Sequence, residues 1–410
     1  MVDFKVIRES FYRLRYLLYI FFLPLWWLQL FSPRRRDVWI FGAWYGRRFS
    51  DNSKYLYMYV SENCPDIRAI WLTRDKNLRN ILLNEGRTVF LVNDFKAIYY
   101  SLIAKYVIIS SGKQDVNPFF INGAIKVQLW HGNPIKKIGL DDSYSNYRNF
   151  WYNKTMEYLF PFIYEHNYDY AVSNAQIFTK KLSSAFGVPF QNIFETGNPR
   201  NDIFFSTTKS SFIEDIRNLF FGCKIVFYLP TFRDKKLNTS LFNLDDFNIS
   251  DVEKFLLKEN IILVSKGHYV DNQLSHASVV GSRIIHLSDS DVSDINFLLK
   301  DADLLITDYS GAYFDFLLTN KPQIFAAFDL QEYLENSREM YFEYSSIIGG
   351  PIITNWEELF KALENIWDDK YYSNLILEKN ELFNKYRDSY NSQRVYQAIV
   401  SMKNKKQNFC

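Results

Sequence analysis

Polar side chains follow the apolar, strand-like runs of this sequence at the points where those runs stop. The runs are rich in β-branched and aromatic residues, which predicts strands. Because the carboxyl ends of parallel strands meet at one edge of a sheet, polar clusters placed there are expected to face a common crevice. Five clusters have this placement: LWHGNP (129–134), TGNPRND (196–202), LPTFRD (229–234), SKGHY (265–269) and TDYSGAYFDF (307–316). Together they predict an active site composed from several strand ends.

The histidine of the first cluster, His131, is a candidate general base. It ends the run KVQLWH and precedes a segment that carries both charge signs, GNPIKKIGLDD. An imidazole titrates near neutral pH and can take the proton of a hydroxyl that acts as a nucleophile. Taken alone, an ordinary polar loop that contains a histidine explains the stretch equally well.

The last cluster has the composition of a phosphate-binding turn. Thr307, Ser310 and Gly311 follow a predicted strand and open an apolar segment of helical period, and Asp308 is placed to orient the loop. Backbone N–H groups at such a helix start attract phosphate. A plain N-cap, in which Ser310 or Asp308 accepts from those N–H groups, is the competing interpretation and is slightly favoured by the local sequence.

Two further clusters offer cations to a phosphate. Arg233 carries a planar guanidinium that matches phosphate oxygens, and Asp234 beside it can hold that fork in place. His268 can donate to a phosphate oxygen, with Lys266 nearby. By itself, each of these side chains is more often an ordinary surface residue.

Composition limits the kinds of partner. The chain has 410 residues, 48% of them hydrophobic, and 48 basic against 46 acidic side chains give a net charge of +2. This balance favours large folded cores and gives no argument for nucleic-acid binding. The three cysteines, Cys64, Cys223 and Cys410, show no metal-ligand spacing and fit a reducing compartment. No metal site is predicted.

Strand and helix signals alternate in two sets. Seven predicted strands lie between residues 37 and 197, and five more lie between residues 224 and 329. This alternation is typical of doubly wound parallel sheets, so the sequence predicts an α/β protein with two Rossmann-type domains facing a central cleft. The predicted divisions are 1–36, 37–205, 206–370 and a helical tail, 371–410.

The N-terminal segment 1–36 is predicted to associate with a membrane. Its uncharged core, residues 16–32, is shorter than the roughly 20 residues of a spanning helix and contains Pro24. Arginines flank the core, and its tryptophans suit the level of lipid headgroups. We therefore expect an in-plane anchor on the cytoplasmic face, with a helix buried against the protein as the alternative.

The ordered set LWHGNPIKKIGLDD, TGNPRND, LPTFRD, KGHY, TDYSGAYFDF and FDLQEY resembles the CDP-glycerol glycerophosphotransferase family, which builds teichoic acids and related capsule polymers. The resemblance covers about residues 37 to 370 and implies a GT-B-like fold with peripheral membrane attachment. The sequence departs from the family at three positions: Asn133 replaces the usual Thr, Tyr269 the usual Pro, and Gly311 a second Ser.

The resemblance also implies roles for single residues. His131 would be the base, and the diphosphate of the donor would meet Arg233, His268, Thr307, Ser310 and Gly311. Glu332 is a weaker candidate for hydroxyls of the ribose or polyol.

Asp142 or its neighbour Asp141 would orient His131 or bind the acceptor. Lys136 would meet a polyanionic acceptor or face solvent. Gly46 and Asn52, after the first strand, would touch the acceptor or form a turn.

The implied reaction moves a polyol phosphate, glycerol phosphate first of all, from a CDP-polyol to a hydroxyl of a polymer or lipid-linked acceptor and releases CMP. Fixed hydrogen-bond donors in the protein would stabilise the negative charge that develops on the phosphoryl oxygens, so no tightly bound cofactor is expected. A Mg²⁺ ion carried by the diphosphate of the donor is left as an alternative. The alternatives are a CDP-ribitol enzyme, a primase that adds one unit, a GT-B glycosyltransferase that uses a nucleotide sugar, and a scaffold with an inactive site. A homo-oligomer is also left open.

Overall fold

The protein is built on two parallel β-sheets, one in each half of the chain. A computed structural model describes residues 21–142, 150–164, 168–231, 240–266, 282–288, 292, 294–336 and 339–402. Within these residues the first sheet has the strand order β3-β2-β1-β4-β5-β6-β7 and the second the order β10-β9-β8-β11-β12-β13. All pairings are parallel; in the first sheet Ile40 of β1 lies between Ile70 and Val107. The predicted α/β architecture with two parallel sheets is confirmed.

The first half contains, in chain order, α1 (Leu23–Leu28), β1 (Arg35–Gly42), α2 (Asp51–Asn63), β2 (Arg68–Thr73), α3 (Lys76–Asn84), β3 (Val89–Leu91), α4 (Phe95–Ile103), β4 (Ala104–Ile109), β5 (Ile125–Gln128), α5 (Phe150–Leu159), α6 (Pro161–Tyr164), β6 (Tyr170–Ser173), α7 (Gln176–Phe186) and β7 (Ile193–Glu195). The central strands are apolar and buried along almost their whole length because helices cover both faces of the sheet.

The second half contains α8 (Ser211–Leu219), β8 (Lys224–Leu229), α9 (Ile249–Lys258), β9 (Ile261–Ser265), β10 (Ile284–His286), α10 (Ile295–Leu299), β11 (Leu304–Thr307), α11 (Ala312–Phe316), β12 (Gln323–Ala326), α12 (Leu330–Asn336), α13 (Tyr344–Ile347) and β13 (Ile352–Ile353), followed by α14 (Trp356–Asn365), α15 (Lys370–Phe383) and α16 (Asn391–Ser401). In this sheet Ile306 of β11 lies between Tyr228 and Ile324. The helix α9 begins at Asn248, whose side chain accepts from two backbone N–H groups and so caps it.

A shared hydrophobic cluster joins the two halves. Ile135, Phe178 and Phe186 of the first half pack with Tyr313 and Phe314 of the second. The rings of Phe178 and Phe314 lie 5.2 Å apart and nearly perpendicular, the edge-to-face arrangement that aromatic pairs prefer. The strand ends of the two sheets are therefore held against each other by a common core.

The C-terminal helices cross back over this junction. Phe383 of α15 belongs to the shared cluster. Val395 and Ile399 of α16 belong instead to the core of the first sheet, together with Trp39 and Tyr57. The last described helix, α16, thus packs on the first half, so α15 and α16 tie the two halves together.

The described part of the N-terminal segment presents apolar side chains to solvent. Trp26 is buried against Phe160 and Phe162, and Gln29 is buried as well. Leu23 is partly buried against the same cluster, and the other large apolar side chains of this segment are exposed: Phe21, Phe22, Leu25, Trp27, Leu28, Leu30 and Phe31. No helix among the residues that the structure describes has the length and apolar content needed to cross a membrane.

Candidate active site

His131 lies at the carboxyl end of β5, in a loop held by aromatic rings. Its imidazole is partly buried, with ring centroids 4.0 Å from Trp130 and 5.2 Å from Trp44. Its Nδ1 lies 3.1 Å from the backbone oxygen of Ser110, at the end of the adjacent strand β4. Because a carbonyl oxygen only accepts, Nδ1 carries the hydrogen in this contact and Nε2 is the basic atom of the ring.

The surroundings of His131 favour its neutral form. Burial lowers the pKa of this imidazole below its ordinary value of 6.5; Asp51 and the Ser110 carbonyl oppose the shift, and the Arg200 guanidinium adds to it. A neutral imidazole whose Nδ1–H is already bonded is ready to accept a proton at Nε2 near neutral pH.

The backbone around His131 is strained. Among the described residues, six that are not glycine have a positive φ, and two of them are asparagines, which tolerate this region. The other four, Trp44, Tyr45, Asp51 and Trp130, all lie in the segments that surround His131. Strain of about 1–3 kcal/mol at a residue persists only where the surrounding structure enforces it, and it is concentrated at functional sites. Its position here supports the choice of the His131 loop as the candidate site.

A buried ionic network lies directly behind this loop. The Arg200 guanidinium donates to the backbone oxygen of His131 and to Oδ1 of Asp51, 2.7 Å away, and it also donates to Asp315. Asp315 is fully buried, and burial raises its pKa while Arg200 opposes the rise. Burial alone would lower the pKa of Arg200, but Asp315 and Asp51 outweigh that effect and raise it. The arginine is therefore a permanent cation between two carboxylates.

On the opposite side of the junction, the segment after β11 forms a tight loop. Asp308 accepts from the backbone N–H groups of Thr231, at 2.9 Å, and Tyr309, at 2.6 Å. Thr307 is buried and its hydroxyl donates to the backbone oxygen of Leu229. Asp308 and Thr307 thus tie the ends of β8 and β11 together and fix the turn that carries Ser310 and Gly311.

A family model described as CDP-Glycerol:Poly(glycerophosphate) glycerophosphotransferase matches residues 25–401. The chain belongs to this family. It is therefore an enzyme of the glycerophosphotransferase type, and the resemblance found in the sequence is confirmed.

Known relatives of this glycerophosphotransferase agree with the assignment. It is 32% identical over 372 residues to the teichoic acid glycerol-phosphate transferase of Staphylococcus aureus (strain NCTC 8325 / PS 47), covering 88% of this chain and 92% of that protein. It is 26% identical over 363 residues to the teichoic acid ribitol-phosphate polymerase TarL of the same strain, covering 86% of this chain but only 58% of TarL. A solved structure of the wall teichoic acid polymerase TagF is similar in fold, with a TM-score of 0.71 at 24% identity over 90% of this chain and 89% of that one.

The structure places the predicted donor-side residues of the glycerophosphotransferase unequally. Thr307 ends β11, and Asp308, Ser310 and Gly311 lie in the turn that follows, where the Ser310 hydroxyl accepts from the N–H of Ala312 at 3.3 Å. This bond satisfies one N–H group at the helix start, but the N-cap position is occupied by Gly311, so the ordinary alternative of a Ser310 or Asp308 N-cap is not what the structure has. Arg233, Asp234 and His268 fall outside the described residues. Their role at the diphosphate stays a prediction.

The predicted acceptor-side residues support the His131 loop. Asn52 is buried, and its amide donates to the backbone oxygen of Trp130 at 2.9 Å while accepting from the N–H of Arg200. Gly46 has a φ of +74° and accepts from the hydroxyl of Thr73. Both residues are used by the backbone around the site, and contact with an acceptor stays a prediction for each.

The segment that follows His131 reaches the second half. Lys136 forms an isolated antiparallel bridge with Met340, and its ammonium lies 4.7 Å from the centre of the Tyr333 ring. Glu332 precedes that tyrosine in α12, so the sequence-predicted acceptor lysine and donor-side glutamate lie in neighbouring segments.

Asp142, the alternative partner of His131 or the acceptor, is buried just after a short 3-10 turn, Gly139–Asp141. Its neighbour Asp141 accepts from the hydroxyls of Ser184, at 2.7 Å, and Tyr341, at 2.6 Å. Asp141 therefore fastens the end of the His131 segment to Tyr341 of the second half.

Sequence reasoning missed the residues behind the base. Arg200 lies within the cluster TGNPRND, and Asp51 lies in the loop after the first strand, but their partners are far away in the sequence. The sequence signal that could have identified Arg200 is a charged arginine within a strand-end cluster. Among the described residues, no group of three or more histidine, cysteine, aspartate or glutamate side chains is placed to hold a metal ion.

Proposed function

We propose that this glycerophosphotransferase transfers glycerol phosphate from CDP-glycerol to a hydroxyl of a growing teichoic-acid-like polymer and releases CMP. The observation that carries the proposal is the setting of His131: a neutral imidazole, fixed through Nδ1, in a strained loop at the junction of the two halves. An alcohol is a poor nucleophile, and a base of this kind removes the proton that must leave as the new bond forms.

The proposed transfer takes place in one step. The acceptor oxygen bonds to the β-phosphorus of CDP-glycerol, the bond from that phosphorus to the bridging oxygen breaks, and CMP departs with the electron pair. The hydroxyl proton passes to Nε2 of His131. Negative charge on the phosphoryl oxygens is met by the turn Thr307–Gly311, and by Arg233 and His268 as the sequence predicts. No tightly held cofactor is needed; a Mg²⁺ ion on the diphosphate would add charge neutralisation.

The polyol and the product length are part of the proposal. Glycerol is favoured because the relative that matches at 32% identity is a glycerol-phosphate transferase, whereas the ribitol-phosphate polymerase matches at 26% and is covered over only 58% of its length. The test is incubation of the purified protein with a lipid-linked acceptor and CDP-glycerol, CDP-ribitol or UDP-sugars. We expect CMP release and polymer growth with CDP-glycerol.

Each alternative has its own result in that test. CMP release with CDP-ribitol alone would show that the polyol is ribitol and not glycerol. UDP release would indicate a glycosyltransferase. A single added unit on a gel would indicate a primase, and no nucleotide release with any donor would indicate a scaffold with an inactive site.

We further propose that the enzyme works at the cytoplasmic face of the membrane, to which the exposed side chains of residues 21–31 bind. Trp27 and Phe31 are 54% and 86% exposed, although side chains of this size are normally buried in soluble proteins. Trp26, buried against Phe160 and Phe162, fixes this segment to the protein. Arg34 does not face lipid, because its guanidinium donates to the backbone oxygens of Ser101 and Asn122. The cations of this stretch that remain exposed to a lipid surface are Arg35, which also pairs with Asp37, and Arg36.

A further inference from the structure

Arg200 is in contact with both halves of the enzyme and with the loop of the base. It lies in the 3-10 segment Pro199–Phe205 that follows the last strand of the first sheet. Asp51 begins α2 in the first half, and Asp315 lies in α11, the helix that directly follows the turn of Ser310 and Gly311. One guanidinium thus joins the donor-side helix, the first half and the backbone oxygen of His131.

The sequence around the base leaves space for this guanidinium. Gly132 has a φ of +136°, which side chains rarely adopt, and a Cβ at this position would lie 2.4 Å from Nη2 of Arg200. Glycine at position 132 therefore permits both the turn after His131 and the approach of Arg200.

A second path runs through the backbone. The N–H of Arg200 donates to Oδ1 of Asn52 at 3.0 Å, and the amide of Asn52 donates to the backbone oxygens of Leu129 and Trp130. The main chain that leads into His131 is consequently tied to residue 200, and Asp51 also accepts from the Trp44 ring that packs on the imidazole.

We propose that Arg200 is a positioning residue that couples the donor-side helix to the catalytic base, so that His131 is held in place when Asp51 and Asp315 share one guanidinium. The inference rests on the proposed role of His131 as the base. Arg200 itself acts through the loop and does not touch the reacting atoms. Its geometry needs the fork of arginine, because a lysine ammonium cannot reach three acceptors in one plane.

Two substitutions separate the geometry from the charge. Arg200→Lys keeps the cation and removes the fork. We expect kcat to fall on the order of 10²-fold, the usual effect of a misplaced reacting group. KM for CDP-glycerol and the acid limb of kcat/KM should not change.

Arg200→Gln removes the cation. The charged side chains that act on the imidazole are Asp51 and Arg200, so the glutamine variant leaves Asp51 unopposed and moves the acid limb to higher pH.

Gly132→Ala displaces the same guanidinium without removing a charge. Because φ at this position is +136°, alanine also strains the turn after His131, so we expect a kcat loss at least as large as that of Arg200→Lys. Lys54→Gln is the matched control. The pair Lys54–Asp294, at 2.7 Å and similarly buried, also joins the two halves but does not contact His131. It is expected to lower the melting temperature and to leave kcat and the acid limb unchanged.

Histidine NMR of the full-length protein tests the same proposal without a measurement of turnover, because it follows the titration of His131 directly. With ¹⁵N-labelled histidine, assigned by His131→Ala, we expect the His131 pKa to rise in Arg200→Gln and to stay in Arg200→Lys and Lys54→Gln. Native kcat in Arg200→Lys, or an unchanged His131 titration in Arg200→Gln, would overturn the proposal and leave the function intact. No CMP from the unmodified enzyme with any donor would remove the proposed function, and the NMR titration would still decide whether Arg200 sets the state of His131.

Discussion

Gly311 lies against the backbone of Asn133, two residues after His131. A Cβ at position 311 would come within 2.8 Å of the Asn133 carbonyl oxygen, closer than such atoms approach in proteins. Asn133 is itself buried, and its side-chain oxygen accepts from the amide of Asn198 at 3.3 Å. The turn after β11 and the loop of the base are therefore in contact through one glycine, and two of the three departures from the family pattern meet at this point.

Gly311→Ala is expected to force these two loops apart. Overpacking of a close contact costs about 1–3 kcal/mol of unfolding free energy, and the moved loop carries His131 with it, so kcat should also fall. Thermal unfolding and steady-state kinetics measure the two effects. Gly349→Ala is the control, because its Cβ would meet its nearest neighbour, Ile376, at an ordinary 3.5 Å. If the two variants have the same melting temperature and the same kcat, the contact between residues 311 and 133 accommodates a Cβ, and the prediction is wrong.

His131→Ala should remove the chemical step. Loss of a general base lowers kcat by about 10²–10⁴-fold, whereas binding of CDP-glycerol should change little because the proposed donor contacts lie in the other half. Kinetics and a separate donor-binding measurement, such as calorimetry, test the two statements. His286→Ala, on the edge strand β10, is the control and should keep its activity. Near-native turnover in His131→Ala would exclude this residue as the base.

The pH dependence follows from the lowered pKa of His131. The base works when neutral, so activity is present above the pKa of the folded enzyme and is lost as the pH falls through it. Because burial moves this pKa below 6.5, the acid limb of kcat/KM should lie below 6.5. A rate profile of the unmodified enzyme measures it. An acid limb above 6.5 would mean that the imidazole is charged near neutrality, contrary to its surroundings.

Removal of the exposed apolar side chains near the N-terminus should release the enzyme from membranes. Burial of one such side chain in lipid is worth about 1.5–3 kcal/mol, so replacing Leu25, Trp27, Leu28 and Phe31 together by serine should lower the bound fraction severely. Co-sedimentation with phosphatidylglycerol vesicles measures it, and activity on a soluble acceptor should persist.

The control for this experiment is Leu219→Ser with Phe221→Ser. These side chains are 77% and 95% exposed but lie in the second half of the protein, at and just after the end of α8. The control should bind vesicles like the unmodified protein. If the control loses binding as well, or the four-site variant keeps it, residues 21–31 are not the membrane-binding surface.

Much of the architecture could be predicted from the sequence for a physical reason. Strands buried on both faces must be continuous apolar runs, so KIVFYLP and DLLITD predicted β8 and β11 within a residue or two at each end. Polar residues at the ends of such runs face the sheet edge whatever their partners are. This placement made His131 and the turn Thr307–Gly311 candidates, and the ordered set of motifs then favoured them over the ordinary alternatives.

The sequence by itself determined the α/β class, the two parallel sheets, the family and His131 as the leading candidate base, because each depends on short-range periodicity or on an ordered set of motifs. Tertiary structure alone decided the rest. The trio Asp51, Arg200 and Asp315 joins residues more than 100 positions apart, and nothing local to any of them specifies the other two. The contact of Gly311 with Asn133 likewise exists because the shared core brings the two strand-end loops together.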